Sequence, residues 1–559
     1  MAAADTDSSA AAGSRAEQAV PTRHWITLAV LCLGTFAVLL DSTIVNVALP
    51  SMITALHASL DQALWVVNGY LLVFATLLIL ASRLGDLFGP RRLFTIGLAI
   101  FAISSALCGA AQQPGELIGA RVLQGVGAAA MTPQAMVVIQ AVFPRRRMGQ
   151  AFGVFSSMVG LAAVSGPVLG GVITTDIGWR WIFYVNLPIA AAGIAGSYAF
   201  VPDVRTGRRH LLDVPGVLLG SAGLAVLLYG VIEGQRYSWG TVAHGITIPE
   251  IITAGALLLT AFCLWERRHA QPLLPGALLR NRTFTIMVVL NLATQFALQS
   301  MLLVNAINLQ SVLGFTAVHA GLTGLPLTLA LTAVAPFAGR LTDRVGGKYV
   351  LMAGLATYAA GIVGVTLLAS AHATSLTFAP ALLVAGLGMG AIFAPVATTA
   401  MRAAPRELAG AASGALNTGR QLGGTLGGAI TGAVLATQLS SALRTRAAVA
   451  AAALPAPVRG PFVAGFAQAA SAGLQVGRGQ SAAVLPRTVP APLMPRLEQL
   501  MHAVFVQSYL HAMRPTLAIS VVLLVAGAAA CLLLRRHPVA PPGTAAAVVP
   551  RAAELADRQ

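Results

Sequence analysis

The sequence predicts an all-α integral membrane protein, and three observations carry that prediction. Of 559 residues, 57% are hydrophobic and only 9% are Asp, Glu, Lys or Arg, where an ordinary soluble domain has roughly a quarter charged. The mean hydropathy is +0.78, more apolar side chain than a water-facing fold can hide. The apolar residues also gather into fourteen runs long enough to cross the roughly 30 Å hydrocarbon core, where every backbone amide has to be paired internally. Together these exclude a soluble globular enzyme.

In chain order, spans 1 to 5 are expected near 25–48, 63–82, 94–111, 116–139 and 151–173. Spans 6 to 10 follow near 181–200, 213–232, 248–265, 284–308 and 320–339, and spans 11 to 14 near 350–370, 378–400, 408–436 and 515–534. All six tryptophans, Trp25, Trp65, Trp179, Trp181, Trp239 and Trp265, fall at or near the ends of these runs, where an amphipathic ring prefers the headgroup layer. The first run is too long for a secretory signal and lacks a cleavage site, so it reads as a retained first span. Cys32, Cys108, Cys263 and Cys531 lie in apolar runs with no CxxC spacing and read as small hydrophobes; no metal or cofactor is expected.

The net charge of +17 rests on 34 arginines and Lys348, and its placement marks topology rather than a nucleic-acid partner. With the N-terminus inside, the short inner loops carry 18 basic residues and the short outer loops only Arg180 and Arg236. The positive-inside rule then puts both termini in the cytoplasm of a cell's inner membrane. Residues 437–514 hold seven arginines on the outside, but loops beyond about 60 residues are exempt from the rule. Within that loop, Pro495 to Met513 reads either as an interfacial amphipathic helix or, in its first half, as a Pro/Ala linker.

An internal repeat organises the chain. The loop from Ala81, ASRLGDLFGPRRLFTIGL, and the loop from Ala338, AGRLTDRVGGKYVLMAGL, share seven of eighteen positions, among them Arg83 with Arg340, Asp86 with Asp343 and Gly89 with Gly346. Two homologous six-helix bundles, 25–200 and 283–534, are therefore expected around inserted spans 7 and 8 at 201–282, with tails at 1–24 and 535–559. Transporters that rock two repeats about a central site are built this way. The loop acids with the arginines that follow, Asp86 with Arg91 and Arg92, Asp343 with Arg344, read either as clamps between helix ends that gate the protein, or as helix caps beside topology signals.

An ionised group deep in the membrane costs about 2.5–3.5 kcal/mol even on insertion scales, so each is a functional candidate. Asp41 is the one acid well inside a span, and Arg121 and Arg420 are the comparably placed cations. Asp41 and Arg121 lie at similar depths. Desolvation disfavours a charged carboxylate and a nearby guanidinium favours it, so Asp41 reads as a proton carrier; the alternative is a static ion pair with Arg121. In span 9, Asn291, Gln295 and Gln299 are spaced by four and share a helical face, continued by Asn305 and Asn308. They either line a substrate cavity or bridge helices. Asn46, Gln124 and Arg420 are the other expected cavity residues. Span 5 carries GPVLGG, Gly166, Pro167, Gly170 and Gly171 among them, small residues that admit a close neighbour beside a bend at the proline.

These residues resemble the major facilitator superfamily, in its fourteen-span drug:proton antiporter branch of the QacA/EmrB type. Leu40 to Pro50 match the span 1 signature LDxTIVNVALP. The loop motif GxLaDrxGrk is met by Leu84, Gly85, Asp86, Gly89, Arg91 and Arg92, with Ser82 and Pro90 departing from it, and the second copy begins with the usual glycine at Gly339. Arg121, Gln124, Gly125, Gly127, Ala128 and Ala129 match RxxQGxGAA, and the WRWIFYVNLP run from Trp179 to Pro188 is typical of the branch.

The resemblance implies the superfamily fold and export of lipophilic drugs or antibiotics by alternating access. Asp41 and Arg121 would couple protons, Gly166 to Gly171 would favour exchange, and the Asp86 and Asp343 loops would gate. Some relatives that take divalent cations have an acid in span 10; residues 320–339 have none, which implies monovalent or neutral lipophilic substrates. The expected partners are a lipophilic small molecule, protons and the bilayer, with no nucleic acid, and nothing in the sequence speaks for or against a periplasmic adaptor. A dedicated natural-product exporter and an uptake symporter remain alternatives on the same fold. An enzyme or ATP-driven pump lacks any HExxH, GxSxG or GxxxxGK[ST] motif.

Overall fold

The computed structural model describes residues 21–204, 213–471 and 494–534, apart from 235, 238, 244, 270, 271 and 453. The expected tails, the arginines at 205–209 and the middle of the 437–514 loop lie outside the described residues. Thirteen helices among those described are long and apolar enough to cross a membrane, and Met148–Asp176, 29 residues long, carries span 5. Spans 1 to 4 are Thr22–Leu56, Leu60–Phe88, Pro90–Ala110 and Pro114–Val142. Span 6 is broken into Trp181–Tyr184 and Asn186–Phe200, and spans 7 and 8 are Val214–Glu233 and Ile248–Arg268. Span 9, Arg282–Ile307, ends in a π-helical turn, Asn308–Val312. Span 10 is Leu325–Val345 behind a short helix, Ala317–Thr323, and spans 11 and 12 are Gly347–Leu368 and Ser375–Ala403.

Spans 1 to 6 pack on one another, as do spans 9 to 14, while spans 7 and 8 pair and lean on span 2. Glycine permits the closest crossings: a Cβ on Gly127 in span 4 would sit 2.6 Å from the backbone nitrogen of Phe101 in span 3. The two bundles meet along spans 5 and 10 and where span 13 crosses spans 2 and 4. The repeat has a backbone cause. Gly89 and Gly346 have φ of 91° and 85°, a left-handed region that glycine alone enters freely, and each turns the chain from one span into the next. Pro90 fills the first position of span 3, where its fixed φ suits a helix start.

The connection expected at 437–514 departs from its expected form. Span 13 does not stop near 436 but runs from Ala409 to Ala451, roughly 64 Å at 1.5 Å per residue. Arg444 and Arg446 end the apolar run, yet alanine is the strongest helix former, and Leu439, Leu443, Ala447 and Ala451 form a buried stripe. The segment 495–513 is not a separate interfacial helix either: it continues into span 14 as one helix, Met494–Ala530, through Pro515. Its Leu497, Met501 and Val504 are buried, and the helix packs on the extended span 13, which also carries a helix at Ala456–Ser471.

Candidate functional site

Asp41 lies in a sealed polar cluster inside the first bundle, with 0% of its surface exposed and 1% of that of Arg121. The Arg121 Nη1 donates to Asp41 Oδ2. Gln124 Nε2 donates to Asp41 Oδ1 at 2.9 Å, and Asn186 Nδ2 donates to the same oxygen at 3.2 Å. Gln124 Nε2 also reaches Ser105 Oγ at 2.7 Å. The guanidinium keeps further partners: Nε donates to the Val66 carbonyl at 3.0 Å, Nη1 to Gln124 Oε1 at 2.6 Å, and its carbon stands 4.2 Å from the centre of the Tyr70 ring. Five spans thus converge on one buried ion pair, whose charged hydrogen bonds offset the cost of removing both ions from water.

Local structure places these groups. Arg121 and Gln124 are three apart in span 4 and share a face. Asn186 opens the second piece of span 6, immediately after the break at Val185. Asn46, five residues beyond Asp41 and so about 140° round the helix, is exposed and among the described residues donates only to the Ser42 carbonyl.

Four expectations are corrected by this geometry. Gln124 does not line a cavity: it is fully buried beside Asp41, because its spacing from Arg121 turns it into the same cluster. Asp343 pairs with Arg402 of span 12 rather than Arg344, since the adjacent residue on a helix points about 100° away and Arg344 is exposed. The same carboxylate accepts from the backbone nitrogens of Gly149 and Gln150 at the start of span 5, at 2.8 and 2.9 Å. Asp86 stands with Arg83, 3.9 Å away, and against Gly410 at the start of span 13, where a Cβ would fall 2.2 Å from its Oδ1. Arg91 instead ties span 3 to the Tyr198 carbonyl of span 6 at 3.1 Å, and Arg92 is exposed.

Both repeat acids therefore meet a helix N-terminus of the opposite bundle, where a negative charge is favoured. Ser82, in the place of the motif's glycine, donates its hydroxyl to the Gly410 carbonyl. Ser413 donates to the Pro133 carbonyl at 2.7 Å and Gln140 to the Met401 carbonyl at 2.6 Å. These bonds close the gap between bundles at the end that carries the basic loops.

The span 5 motif packs where Asp41 resides. A Cβ on Gly166 would sit 2.0 Å from Thr43 Oγ1, and one on Gly170 would sit 2.9 Å from Ile44 Cγ1, whereas Gly171 meets only Val318, at 3.8 Å. The helix continues unbroken through residue 167. In span 9, Asn291 bridges to span 13 by donating to the Leu416 carbonyl at 2.7 Å. Gln295 is half-buried with its Oε1 unpartnered, and Gln299 is exposed. Arg420 is half-buried, and among the described residues it has no ion pair or hydrogen bond. Three members of the site escaped the sequence analysis. Asn186 sat inside the quoted WRWIFYVNLP run, while Ser105 and Tyr70 carry no spacing that marks them.

Comparison with known proteins bears on this arrangement. Residues 31–428 match the sequence profile of the Major Facilitator Superfamily. The chain is 37% identical over 413 residues to a puromycin resistance protein of Streptomyces alboniger, covering 72% of this chain and 80% of that one. It is 33% identical over 393 residues to a tetracenomycin C resistance and export protein of Streptomyces glaucescens, covering 70% and 72%, and 35% identical over 393 residues to a multidrug resistance protein of Mycobacterium tuberculosis, again covering 70% and 72%. Among solved structures, a human organic anion transporter aligns with a TM-score of 0.56 at 10% identity, over 90% of this chain and 99% of that one. A proton:xylose symporter aligns with a TM-score of 0.53 at 15% identity, over 73% and 88%; at such identities the likeness is one of fold.

Proposed function

This chain belongs to the Major Facilitator Superfamily and is a multi-pass membrane transporter, and from that premise we propose that it is a proton-coupled antiporter exporting lipophilic drugs or antibiotics across the cytoplasmic membrane. The observation that carries the reading is the Asp41–Arg121 pair, the one ion pair among the described residues with both partners at 1% exposure or less. A charge pair so deep is expensive to maintain for architecture alone, since apolar replacements of buried pairs are often neutral or stabilising. Its value lies in being switchable. When Asp41 takes a proton its attraction for Arg121 falls, and the guanidinium retains the Val66 carbonyl, Gln124 and the Tyr70 ring, so its donors stay satisfied while its charge loses the counter-ion.

The basic-loop end faces the cytoplasm under the positive-inside rule. In the arrangement described it is shut by the Asp343, Ser82, Ser413 and Gln140 bonds. Protonation of Asp41 from outside loosens spans 1, 4 and 6 about the pair, and the packing of Gly166 and Gly170 on Thr43 and Ile44 passes that change to span 5 and so to span 10 of the other bundle. The driving force suffices: one charge crossing 100 mV supplies about 2.3 kcal/mol and one pH unit about 1.4. The relatives named for single antibiotics favour a second reading, a dedicated exporter of one natural product. Reconstitution into vesicles with a pH-sensitive dye tests the coupling. Antibiotics and lipophilic compounds should release protons through the wild type and not through Asp41→Asn; full proton-driven export by that variant at matched expression would refute the role.

A further inference from the structure

We propose that Arg420 is the recognition point for an oxyanion on the transported compound, so that the protein selects lipophilic acids, with a carboxylate or an ionised phenol or enol, over their neutral and cationic analogues. This rests on the exporter reading above and narrows its substrate class. It departs from the preference for cations or neutral molecules that span 10 implies.

Position comes first. Arg420 lies eleven residues beyond the start of span 13 at Ala409, about 16 Å along the helix and near the middle of the membrane. Ser413, Asn417, Arg420 and Gly424 step by four, three and four, so they line one stripe. The lower part of the stripe touches the opposite bundle: Ser413 donates to the Pro133 carbonyl, and Asn417 Nδ2 stands 3.8 Å from Met136 Sδ, both on span 4. One turn above Arg420 the bundles have parted, because a Cβ on Gly424 would meet nothing within 4 Å. Arg420 therefore stands on the floor of the gap between the bundles.

Its charge is uncompensated. A guanidinium offers five donors, and at this depth an unpaired cation is costly. The chain's other deep cation, Arg121, has Asp41, and Arg402 at the membrane edge has Asp343. The remaining repeat acid, Asp86, sits with Arg83 and Gly410. Among the described residues no carboxylate stands within ion-pair distance of Arg420, so its acceptor arrives with the ligand. Gln295 supplies a second, independent sign. Asn291 meets span 13 at Leu416 and Gln299 Cγ comes 3.5 Å from a Cβ on Gly428, which puts Gln295 level with residues 420–424. Its buried Oε1 has no donor. A guanidinium with no acceptor and, at about the same level on the facing helix, an amide oxygen with no donor suit a negatively charged oxygen next to a hydroxyl.

The test uses three naphthalene probes that share a ring system: 1-hydroxy-2-naphthoate, its carboxamide and a naphthylmethyl-trimethylammonium cation. Binding is measured on the full-length protein in lipid nanodiscs. The wild type should bind the acid at least about tenfold more tightly than the amide, the gain expected of a charge-assisted over a neutral hydrogen bond. Arg420→Gln should bring the acid down to the affinity of the amide, and Arg420→Lys should keep part of the difference. Equal binding of acid and amide by the wild type, absence of acid binding, or an acid preference that survives in Arg420→Gln would each overturn the proposal. The wild-type comparison stands even if Arg420→Gln does not fold. If the wild type moves protons in response to the cation yet ignores the acid, the oxyanion site falls and the exporter reading stands; selective acid binding with no proton movement by any compound has the opposite meaning.

Discussion

Asn186 donates its amide to the same oxygen of Asp41 that Gln124 reaches, from the residue at which span 6 resumes after its break. A helix interruption thus serves to aim one polar side chain at a buried carboxylate. Removing that donor should matter out of proportion to its size, because hydrogen bonds to charged groups contribute about 1.5–3 kcal/mol. Asn186→Ala is expected to fold and insert, yet to slow proton-driven export roughly tenfold or more in vesicles, with substrate binding changed much less. Export at the wild-type rate would show that Asn186 is only a packing residue.

Arg121 presents the converse case. Arg121→Met leaves the Asp41 carboxylate buried with no counter-ion, a situation that costs about 3–5 kcal/mol. The thermal stability of this variant should therefore fall well below that of the wild type. Asp41→Asn combined with Arg121→Gln should recover the stability without the transport. Melting curves of the three proteins in detergent check both statements; an Arg121→Met variant as stable as the wild type would show that the buried carboxylate does not need its partner.

Why these residues were legible, and others were not, follows from the energetics. A charge inside an apolar run is costly and therefore rare, so Asp41 and Arg121 stand out in the sequence alone. Their neighbours do not: a serine or tyrosine in such a run costs little, and Ser105 and Tyr70 carry no mark of the site they complete. Gln124 was mislocated although its spacing of three from Arg121 already pointed to the same face. The repeat acids were visible, but their partner Arg402 is 59 residues away from Asp343 and no local pattern couples them. The extended span 13 was missed because alanine with scattered arginine reads as a loop on an apolar scale while forming a helix with one buried stripe.

The span 5 glycines divide into two kinds, and substitution should separate them. Gly166→Ala places a methyl group 2.0 Å from Thr43 Oγ1, whereas Gly171→Ala meets nothing nearer than Val318 at 3.8 Å. Overpacking of a tight contact costs about 1–3 kcal/mol, and here it would push span 5 away from the helix that carries Asp41. Gly166→Ala should reduce export strongly and Gly171→Ala should leave it near wild type. Equal activities would mean that spans 1 and 5 do not need this contact in any working state.

The bonds at the basic-loop end should behave as a latch. Asp343→Ala removes the acceptor of Gly149, Gln150 and Arg402 together, while leaving the Asp86 contacts intact. A cysteine placed at Ser413, buried against Pro133, reports opening. In a background lacking the four native cysteines, a permeant maleimide should label it several-fold faster when Asp343 is replaced. Unchanged labelling would assign the closure to Ser82 and Gln140 instead.

The charge of the substrate has an energetic consequence that can be measured directly. A monovalent cation leaving as one proton enters moves no net charge, so only the pH difference drives it, about 1.4 kcal/mol per unit. A monoanion recognised by Arg420 moves the other way in the electrical sense: its exit and the proton's entry are both favoured by an inside-negative potential, about 4.6 kcal/mol per 100 mV for the two charges. That corresponds to a gradient of more than a thousandfold before any pH difference is added. In right-side-out vesicles loaded with potassium, adding valinomycin should therefore accelerate export of a lipophilic acid and leave that of a matched cation unchanged. Acid export driven by only half that electrical term, about 2.3 kcal/mol per 100 mV from the entering proton alone, would mean that the compound crosses as a neutral molecule, with its proton still attached, and that the guanidinium in the gap never meets an oxyanion.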